Sequence, residues 1–169
     1  ITEDELAAGA GGKIIGRPHI AAALLRRGVV STRPEAFSRF LGRDGMAYVP
    51  RELLTPLEGL ALLRSLGAVT AVAHPLLLRA PLSWLQQCLD ELAVAGLDAL
   101  EAYHSEHNAA QVRRLVDLAA ARGLLLCGGS DYHGQNKPDV AMGSGRGGLR
   151  VPACLLDKLK ERRAHRSLA

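Results

Sequence analysis

Residues 124–133, Leu-Leu-Leu-Cys-Gly-Gly-Ser-Asp-Tyr-His, join a short apolar run to a glycine-rich polar loop. The apolar run at 124–127 is unbroken, which is typical of a strand that is covered on both faces. The two glycines that follow allow the backbone to approach a ligand closely. Asp131 and His133 then present a carboxylate and an imidazole, and this pair of ligand types suits Mn, Fe or Zn better than Ca.

Two earlier apolar runs also end at polar residues. Residues 68–73 are followed by His74, and residues 97–102 include Glu101 and precede His104. A single His or Glu at such a place is usually a turn residue or a surface strand end. Three strand ends that all carry His or a carboxylate are hard to explain as ordinary surface residues. The set therefore predicts a metal site.

Amphipathic segments separate the three apolar runs. The predicted helices cover residues 55–67, 82–95, 108–123 and 152–164. This alternation predicts an α/β fold, in which right-handed βαβ units build a parallel sheet. The carboxyl ends of parallel strands meet at one edge, which is where the active sites of (β/α) barrels form.

Residues 1–55 have a different texture, with short helical patterns separated by Gly and Pro. Helices are predicted at 18–27 and 34–41, and the only candidate strand lies at 46–49. We therefore divide the chain into a small helical unit, residues 1–55, and a βα unit, residues 56–169.

Composition narrows the class of protein. The chain has 169 residues, of which 48% are apolar, and a formal charge of +4. Adjacent arginines in the sequence are interpreted either as solvent-exposed residues on helix faces or as a positive surface that attracts phosphate-bearing substrates. Cys88, Cys127 and Cys154 form no Cys-x-x-Cys pair, which argues against a disulfide framework or thiolate zinc site and favours a reducing cytoplasm. The chain has no signal-peptide pattern and no apolar run near the roughly 20 residues that span a bilayer, so no membrane role is predicted.

Other polar residues admit two interpretations. Glu101, His104 and His107 are either a metal triad or loop residues near the pocket, and the second is favoured because a strand ends among them. Lys137 and Arg146 lie in the loop at 134–148 and are candidates for contact with a substrate phosphate. The glycine-rich stretch at 143–148 lacks Gly-Lys-[Ser/Thr] and is interpreted as a flexible loop rather than a phosphate-binding loop.

Several of these stretches, in this order, resemble the polymerase and histidinol phosphatase (PHP) family of metal-dependent phosphoesterases, in its nucleotide-phosphatase and exonuclease-like branch. They are residues 16–21 (Gly-Arg-Pro-His-Ile-Ala), 73–75 (Ala-His-Pro), 100–107, 129–133 (Gly-Ser-Asp-Tyr-His) and 134–138. The Ala-His-Pro triplet alone is a weak signal and the Gly-Ser-Asp-x-His stretch is moderately specific, whereas the ordered set is a strong one. The resemblance extends over most of the chain from Gly16 to about Gly145.

The resemblance implies the carboxyl-terminal part of a distorted (β/α) barrel, preceded by a small helical cap or insertion. It implies divalent metal ions (Mn, Fe or Zn) held by His74, Asp131 and His133. Arg17 and His19 would contact the substrate phosphate from the cap, and His19 would also protonate the leaving oxygen. The alternative for His19 is a packing role, because it lies at the start of a helix.

The resemblance is incomplete, because the family's amino-terminal half begins with a His-x-His motif that this sequence lacks. We therefore expect a fragment that is weak or inactive alone, from a parent that hydrolyses phosphoesters of nucleotides or short oligonucleotides. One alternative is a non-catalytic domain that binds a cation or a partner. An amidohydrolase-type metal hydrolase is less supported, because no Lys lies at a strand end. Exposed sheet edges would favour self-association or pairing with the missing half.

Overall fold

A computed structural model describes residues 1–10, 14–50 and 53–166. The chain forms two compact units, Ile1–Leu53 and Leu54–Ala169. The role of the first as a cap and of the second as barrel βα units stays a prediction. Within the described ranges, no helix is both long and apolar enough to cross a membrane.

The first unit is helical. Its helices are α1 (Glu3–Ala10), α2 (Arg17–Arg26) and α3 (Arg33–Ala36), and a π-helical turn at Phe37–Leu41 continues α3. Its small core consists of Ala21, Leu24, Val30, Ala36 and Leu41. The predicted helix at 34–41 is therefore half π-helical, and the candidate strand at 46–49 is wrong, since these residues form turns and irregular backbone.

The second unit contains a parallel sheet. Its strands are β1 (Ala71–Val72), β2 (Ala99–His104) and β3 (Leu125–Gly129), in the order β1-β2-β3. Helices α5 (Leu82–Val94) and α6 (Ala109–Ala120) connect the strands, while α4 (Pro56–Ser65) precedes them and α7 (Cys154–Arg166) follows. The α/β fold with parallel strands is confirmed.

All three strands differ from the prediction in their boundaries. β3 runs from Leu125 to Gly129 rather than over 124–127, so the two glycines predicted to begin the loop belong to the strand. β1 is much shorter than residues 68–73, because it pairs with β2 at only two positions and the backbone turns left-handed at His74. β2 continues past residue 102 to His104, because it lies between two neighbours and pairs with β3 as far as Gly129. His104 is therefore a strand residue, and its side chain is fixed by the sheet rather than by a loop.

The core of the second unit is aliphatic, as the low aromatic content requires. Leu85, Leu89 and Leu92 of α5 pack with Leu100 of β2 and Leu115 of α6. Burying one such leucine contributes roughly 1.5–3 kcal/mol, so these contacts fix the helices against the sheet. The rigid sheet in turn fixes the positions of its carboxyl ends.

Gly128 is required for packing rather than for ligand approach. A Cβ atom at this position would lie 2.4 Å from both Cβ and the carbonyl oxygen of Tyr103. The register of β2 and β3 shifts at this point, between Glu101 and Tyr103. The interpretation of Gly128 as a ligand-approach residue is wrong, because its α-carbon faces the neighbouring strand.

Asp98 forms a buried ion-pair cluster at the opposite end of the sheet. Its carboxylate accepts hydrogen bonds from the backbone and hydroxyl of Thr70 and lies 3.2 Å from Arg162 and 2.8 Å from Arg166. The carboxylate thus ties α7 to the amino ends of β1 and β2. Polar residues at that end of a parallel barrel usually serve stability rather than catalysis.

Candidate metal centre

Four polar side chains gather at the carboxyl ends of the strands. His74 follows β1, His104 ends β2, and Asp131 and His133 follow β3. The rings of His74 and His104 are 5.6 Å apart between centroids. Oδ2 of Asp131 lies 3.7 Å from Nε2 of His104, and Oδ1 lies 3.6 Å from Nδ1 of His133. The sheet therefore brings together the three predicted metal ligands and His104, which was interpreted as a loop residue near the pocket and is instead the last residue of β2.

The backbone is strained at two of these residues. His74 has a φ of 30° and Asp131 a φ of 54°. Such left-handed conformations cost a non-glycine residue of order 1 kcal/mol or more and cluster at functional sites. At His74 the conformation is held by a hydrogen bond of 2.6 Å from its backbone N–H to Oε2 of Glu101. Glu101 therefore positions His74.

Asp131 is already paired with a cation. Nζ of Lys137 donates a hydrogen bond of 2.6 Å to Oδ2 of Asp131 and lies 3.7 Å from Oε1 of Glu106. The ammonium group lowers the pKa of Asp131, and the hydrogen bond to Asp131 raises the pKa of Lys137. Lys137, which was predicted to contact substrate phosphate, thus lies within reach of the centre.

His104 is the most buried member of the centre, with its side chain fully enclosed. Burial lowers the pKa of His104, so the ring is neutral at neutral pH. Its Nδ1 accepts a hydrogen bond of 3.1 Å from the N–H of Glu106, which places the ring proton on Nε2. That Nε2 is buried, has no hydrogen-bond partner among the described residues and faces Asp131. His104 is thus a donor aimed at the carboxylate.

His107 has the opposite tautomer. Its Nδ1 lies 2.9 Å from the carbonyl oxygen of Ala102, so Nδ1 carries the proton and Nε2 holds a lone pair. The ring centroid lies 5.2 Å from that of His104, and Nε2 of His107 is also buried with no hydrogen-bond partner in the part of the chain that the structure describes. Within the described ranges, Glu101, His104 and His107 do not form a three-ligand metal cluster. Each side chain is hydrogen-bonded to a different backbone group.

The loops that carry the centre are fastened to each other by two serines. Oγ of Ser105 donates a hydrogen bond of 2.6 Å to the carbonyl oxygen of Ser130. Oγ of Ser130, in turn, accepts one of 3.2 Å from the N–H of Gly143. The segments after β2 and β3 are thereby held together. Sequence reasoning gave these serines no role, since serine is common in any loop.

The donor set fits a divalent ion in its chemistry. One carboxylate and nearby imidazoles are the ligands that Mn, Fe and Zn accept. Across the described ranges, however, no three His, Cys, Asp or Glu side chains stand close enough to form a ready-made cage. Burial raises the pKa of Cys127 to about 11, so this thiol is protonated at neutral pH in the metal-free protein. The assignment of His74, Asp131 and His133 as ligands stays a prediction.

Arg17 and His19 lie in the first unit, at the start of α2. A guanidinium nitrogen of Arg17 is 3.4 Å from the carbonyl oxygen of Leu41, and Arg17 lines a cavity of about 600 Å³. Nδ1 of His19 accepts a hydrogen bond of 2.9 Å from the N–H of Gly16 and so caps the helix. Their role in binding or protonating the substrate stays a prediction.

No family model matches the chain. It is 27% identical to the 5′-3′ exoribonuclease Rnm of Escherichia coli over 132 residues, which are 78% of this chain and 45% of the relative. It is 35% identical to a phosphoribosyl 1,2-cyclic phosphate 1,2-diphosphodiesterase of Eggerthella lenta over 89 residues, 52% of this chain and 29% of the relative.

A solved structure agrees with these relatives. A protein of Bifidobacterium adolescentis assigned as a metal-dependent phosphoesterase superposes with a TM-score of 0.76 and 33% identity, over 96% of this chain and 56% of that one. The chain is related to the PHP-type phosphoesterases. The predicted fold class is confirmed by this neighbour. The chain spans about half the length of the PHP-type relatives that it matches.

Proposed function

We propose that this chain forms one side of the active site of a metal-dependent phosphoesterase. The observation that carries the proposal is the convergence of Asp131, His133 and His104 at the carboxyl edge of the parallel sheet. The relatives support the reaction class, since they are a nuclease, a phosphodiesterase and a phosphoesterase.

We assign His74, Asp131 and His133 as the residues that would hold the divalent ion. When bound, the ion would lower the pKa of a water molecule and neutralise charge on the phosphate. His104 would donate from Nε2 to Oδ2 of Asp131 and so hold the carboxylate in position, as groups behind metal ligands commonly do.

The remaining polar residues would bind the substrate. Lys137 would leave Asp131 when the ion arrives and turn to a phosphate oxygen, which it reaches as a flexible point charge. Arg17 offers a planar pair of donors for a phosphate. His19 would give its proton to the leaving oxygen from Nε2, because Nδ1 is occupied by the N–H of Gly16.

For the substrate we propose nucleotides or short oligonucleotides, for the ion manganese, and for the compartment the cytoplasm. The nucleotide proposal is supported by the exoribonuclease relatives. Three dispersed free cysteines support the cytoplasm.

Full activity would require more than this chain. The described sheet has two edge strands, β1 and β3. On α4 only Leu60 is buried, while Leu57, Leu62, Leu63 and Leu66 are between 47% and 74% exposed. We propose that the rest of the barrel, or a second copy of the chain, covers this apolar surface. The purified chain would then turn over phosphoesters weakly or not at all.

A non-catalytic domain that binds a cation or a partner is the second candidate. The observation that favours it is the lack of a ready three-ligand cluster within the described ranges. The two candidates differ in what a bound ion does, because only a phosphoesterase site presents the ion to a phosphate.

The test is the binding of adenosine 5′-monophosphate to the chain by calorimetry, with and without Mn²⁺. Mn²⁺ is expected to strengthen binding about tenfold or more, because an ion held by Asp131 would neutralise charge on the phosphate. Asp131→Asn should abolish this gain, while Asp117→Asn, an exposed carboxylate on α6, should keep it. If the wild-type chain is folded and its affinity for adenosine 5′-monophosphate is the same with and without Mn²⁺, the proposed function is wrong.

A further inference from the structure

A second cavity opens beside the carboxyl end of β2, with a volume of about 570 Å³. Its walls come from the end of β2, the first turns of α6 and the loop at residues 146–150. Three arginines line it, namely Arg113, Arg146 and Arg150, and no acidic side chain is among its described lining residues. We call this cavity the arginine pocket.

Two of the three guanidinium groups are available to a ligand. Arg146 is paired with Asp139, and both side chains are more than half exposed. Arg113 and Arg150 are exposed and, within the described part of the chain, have no ion-pair or hydrogen-bond partner. The amino terminus of α6, a helix of 12 residues, adds positive potential from the same side. The described lining of the pocket is therefore concave and positively charged, and such a surface favours the binding of an anion.

An aromatic side chain narrows the class of anion. Tyr103 is half-buried and lines the same pocket. Arginines beside an aromatic ring are the usual combination in sites for single-stranded nucleic acid, where phosphates meet guanidinium groups and bases stack. Inorganic phosphate or a sugar phosphate would make no use of the ring.

The arginine pocket adjoins the candidate metal centre. His104 lines the pocket, and its Nε2 faces Asp131 at 3.7 Å. Ser105 also lines the pocket and is hydrogen-bonded to Ser130, next to Asp131. A chain of nucleotides that presents one phosphate to the centre would therefore pass the next into the pocket.

We propose that the arginine pocket binds the nucleotide adjacent to the scissile phosphate, with Arg113 and Arg150 on its phosphate and Tyr103 on its base. The substrate of the proposed phosphoesterase is then an oligonucleotide. This inference rests on the proposed function for its biological meaning, but the binding step itself needs no metal.

The test measures binding of a fluorescein-labelled penta-uridylate to the full chain by fluorescence anisotropy, in EDTA. Arg113→Gln and Arg150→Gln should each weaken binding about tenfold, the usual effect of losing one charge-assisted hydrogen bond. The slope of log affinity against log salt should fall by about 0.7 for each lost contact. Arg114→Gln is the matched control, since Arg114 is the exposed neighbour on α6 but does not line the pocket.

The outcomes separate this inference from the proposed function. The proposed role of the arginine pocket is wrong if the wild-type chain does not bind penta-uridylate detectably. It is also wrong if all three variants lose the same affinity for the oligonucleotide. An abasic oligonucleotide that binds as tightly as penta-uridylate would overturn the role of Tyr103. None of these results depends on Mn²⁺, so a missing Mn²⁺ effect on mononucleotide binding would count against the proposed function alone.

Discussion

Nζ of Lys137 lies 2.6 Å from Oδ2 of Asp131. The carboxylate that we assign as a metal ligand is therefore already paired with an ammonium group of the protein. The two positive charges cannot share this oxygen at short range without strong repulsion. If Asp131 holds a divalent ion as we propose, Lys137 would compete with that ion for Oδ2, and its ammonium group would be available to a phosphate.

The first prediction concerns this competition. Lys137→Met should raise the affinity for Mn²⁺ about tenfold, because the ion no longer has to break a charge-assisted hydrogen bond. Titration followed by the electron paramagnetic resonance of free Mn²⁺ measures it. Lys160→Met is the control, since Lys160 pairs with Asp157 on exposed α7. Weaker Mn²⁺ binding in the Lys137 variant would show that the lysine helps to hold the ion.

A second prediction concerns pH and uses the metal-free protein. Lys137 lowers the pKa of Asp131 below its reference value of 3.8. The contribution of this pair to stability is therefore present above pH 3.8 and is lost as pH falls through the lowered pKa of the folded state. Thermal unfolding should show the wild type more stable than Asp131→Asn at pH 6, with the gap closing in acid. A gap that widens below about pH 4 would have the wrong sign.

A third prediction concerns Asp98, whose carboxylate is buried among Thr70, Arg162 and Arg166. Asp98→Asn should lower the free energy of unfolding by about 3 kcal/mol, because it leaves the arginines of α7 without their buried partner. Urea unfolding measures this. Asp157→Asn removes an exposed ion pair and should change stability by less than about 1 kcal/mol. Equal effects would mean that the Asp98 cluster contributes no more than a surface pair.

A fourth prediction concerns Gly128. Gly128→Ala should destabilise the protein by about 2 kcal/mol, because the new methyl group would force β2 and β3 apart at Tyr103. Gly59→Ala is the matched control, since Gly59 lies inside α4 and, among the described residues, nothing beyond its own helix backbone and chain neighbours comes within 4 Å of the added carbon. That change should stabilise by roughly 0.5–1 kcal/mol, the usual gain from replacing a helical glycine. A neutral Gly128→Ala would contradict the tight strand contact.

The sequence alone predicted the order of elements, because helix caps and apolar runs are local signals. Asn108 caps α6 and Thr55 caps α4, each at the first residue of a predicted helix. The sequence also pointed to Asp131 and His133, since a carboxylate and an imidazole after a strand are visible in one stretch. These features depend on residues close in the chain.

Other features depend on contacts between distant residues and were missed. The donor role of His104 needs both the N–H of Glu106 and the carboxylate of Asp131. The cluster at Asp98 joins residues as far apart as 98 and 166. The carboxyl end of β2 was predicted two residues too early, because pairing with β3 continues to His104 and pairing cannot be read from one strand.

We infer that the carboxyl edge of the sheet holds a divalent ion through Asp131. Equilibrium dialysis against Mn²⁺, with the bound metal counted by mass spectrometry, tests it most directly. We predict that the wild-type chain and Asp117→Asn bind Mn²⁺ alike, while Asp131→Asn loses about tenfold or more in affinity. Equal Mn²⁺ binding by Asp131→Asn and the wild type, both folded, would contradict the claim.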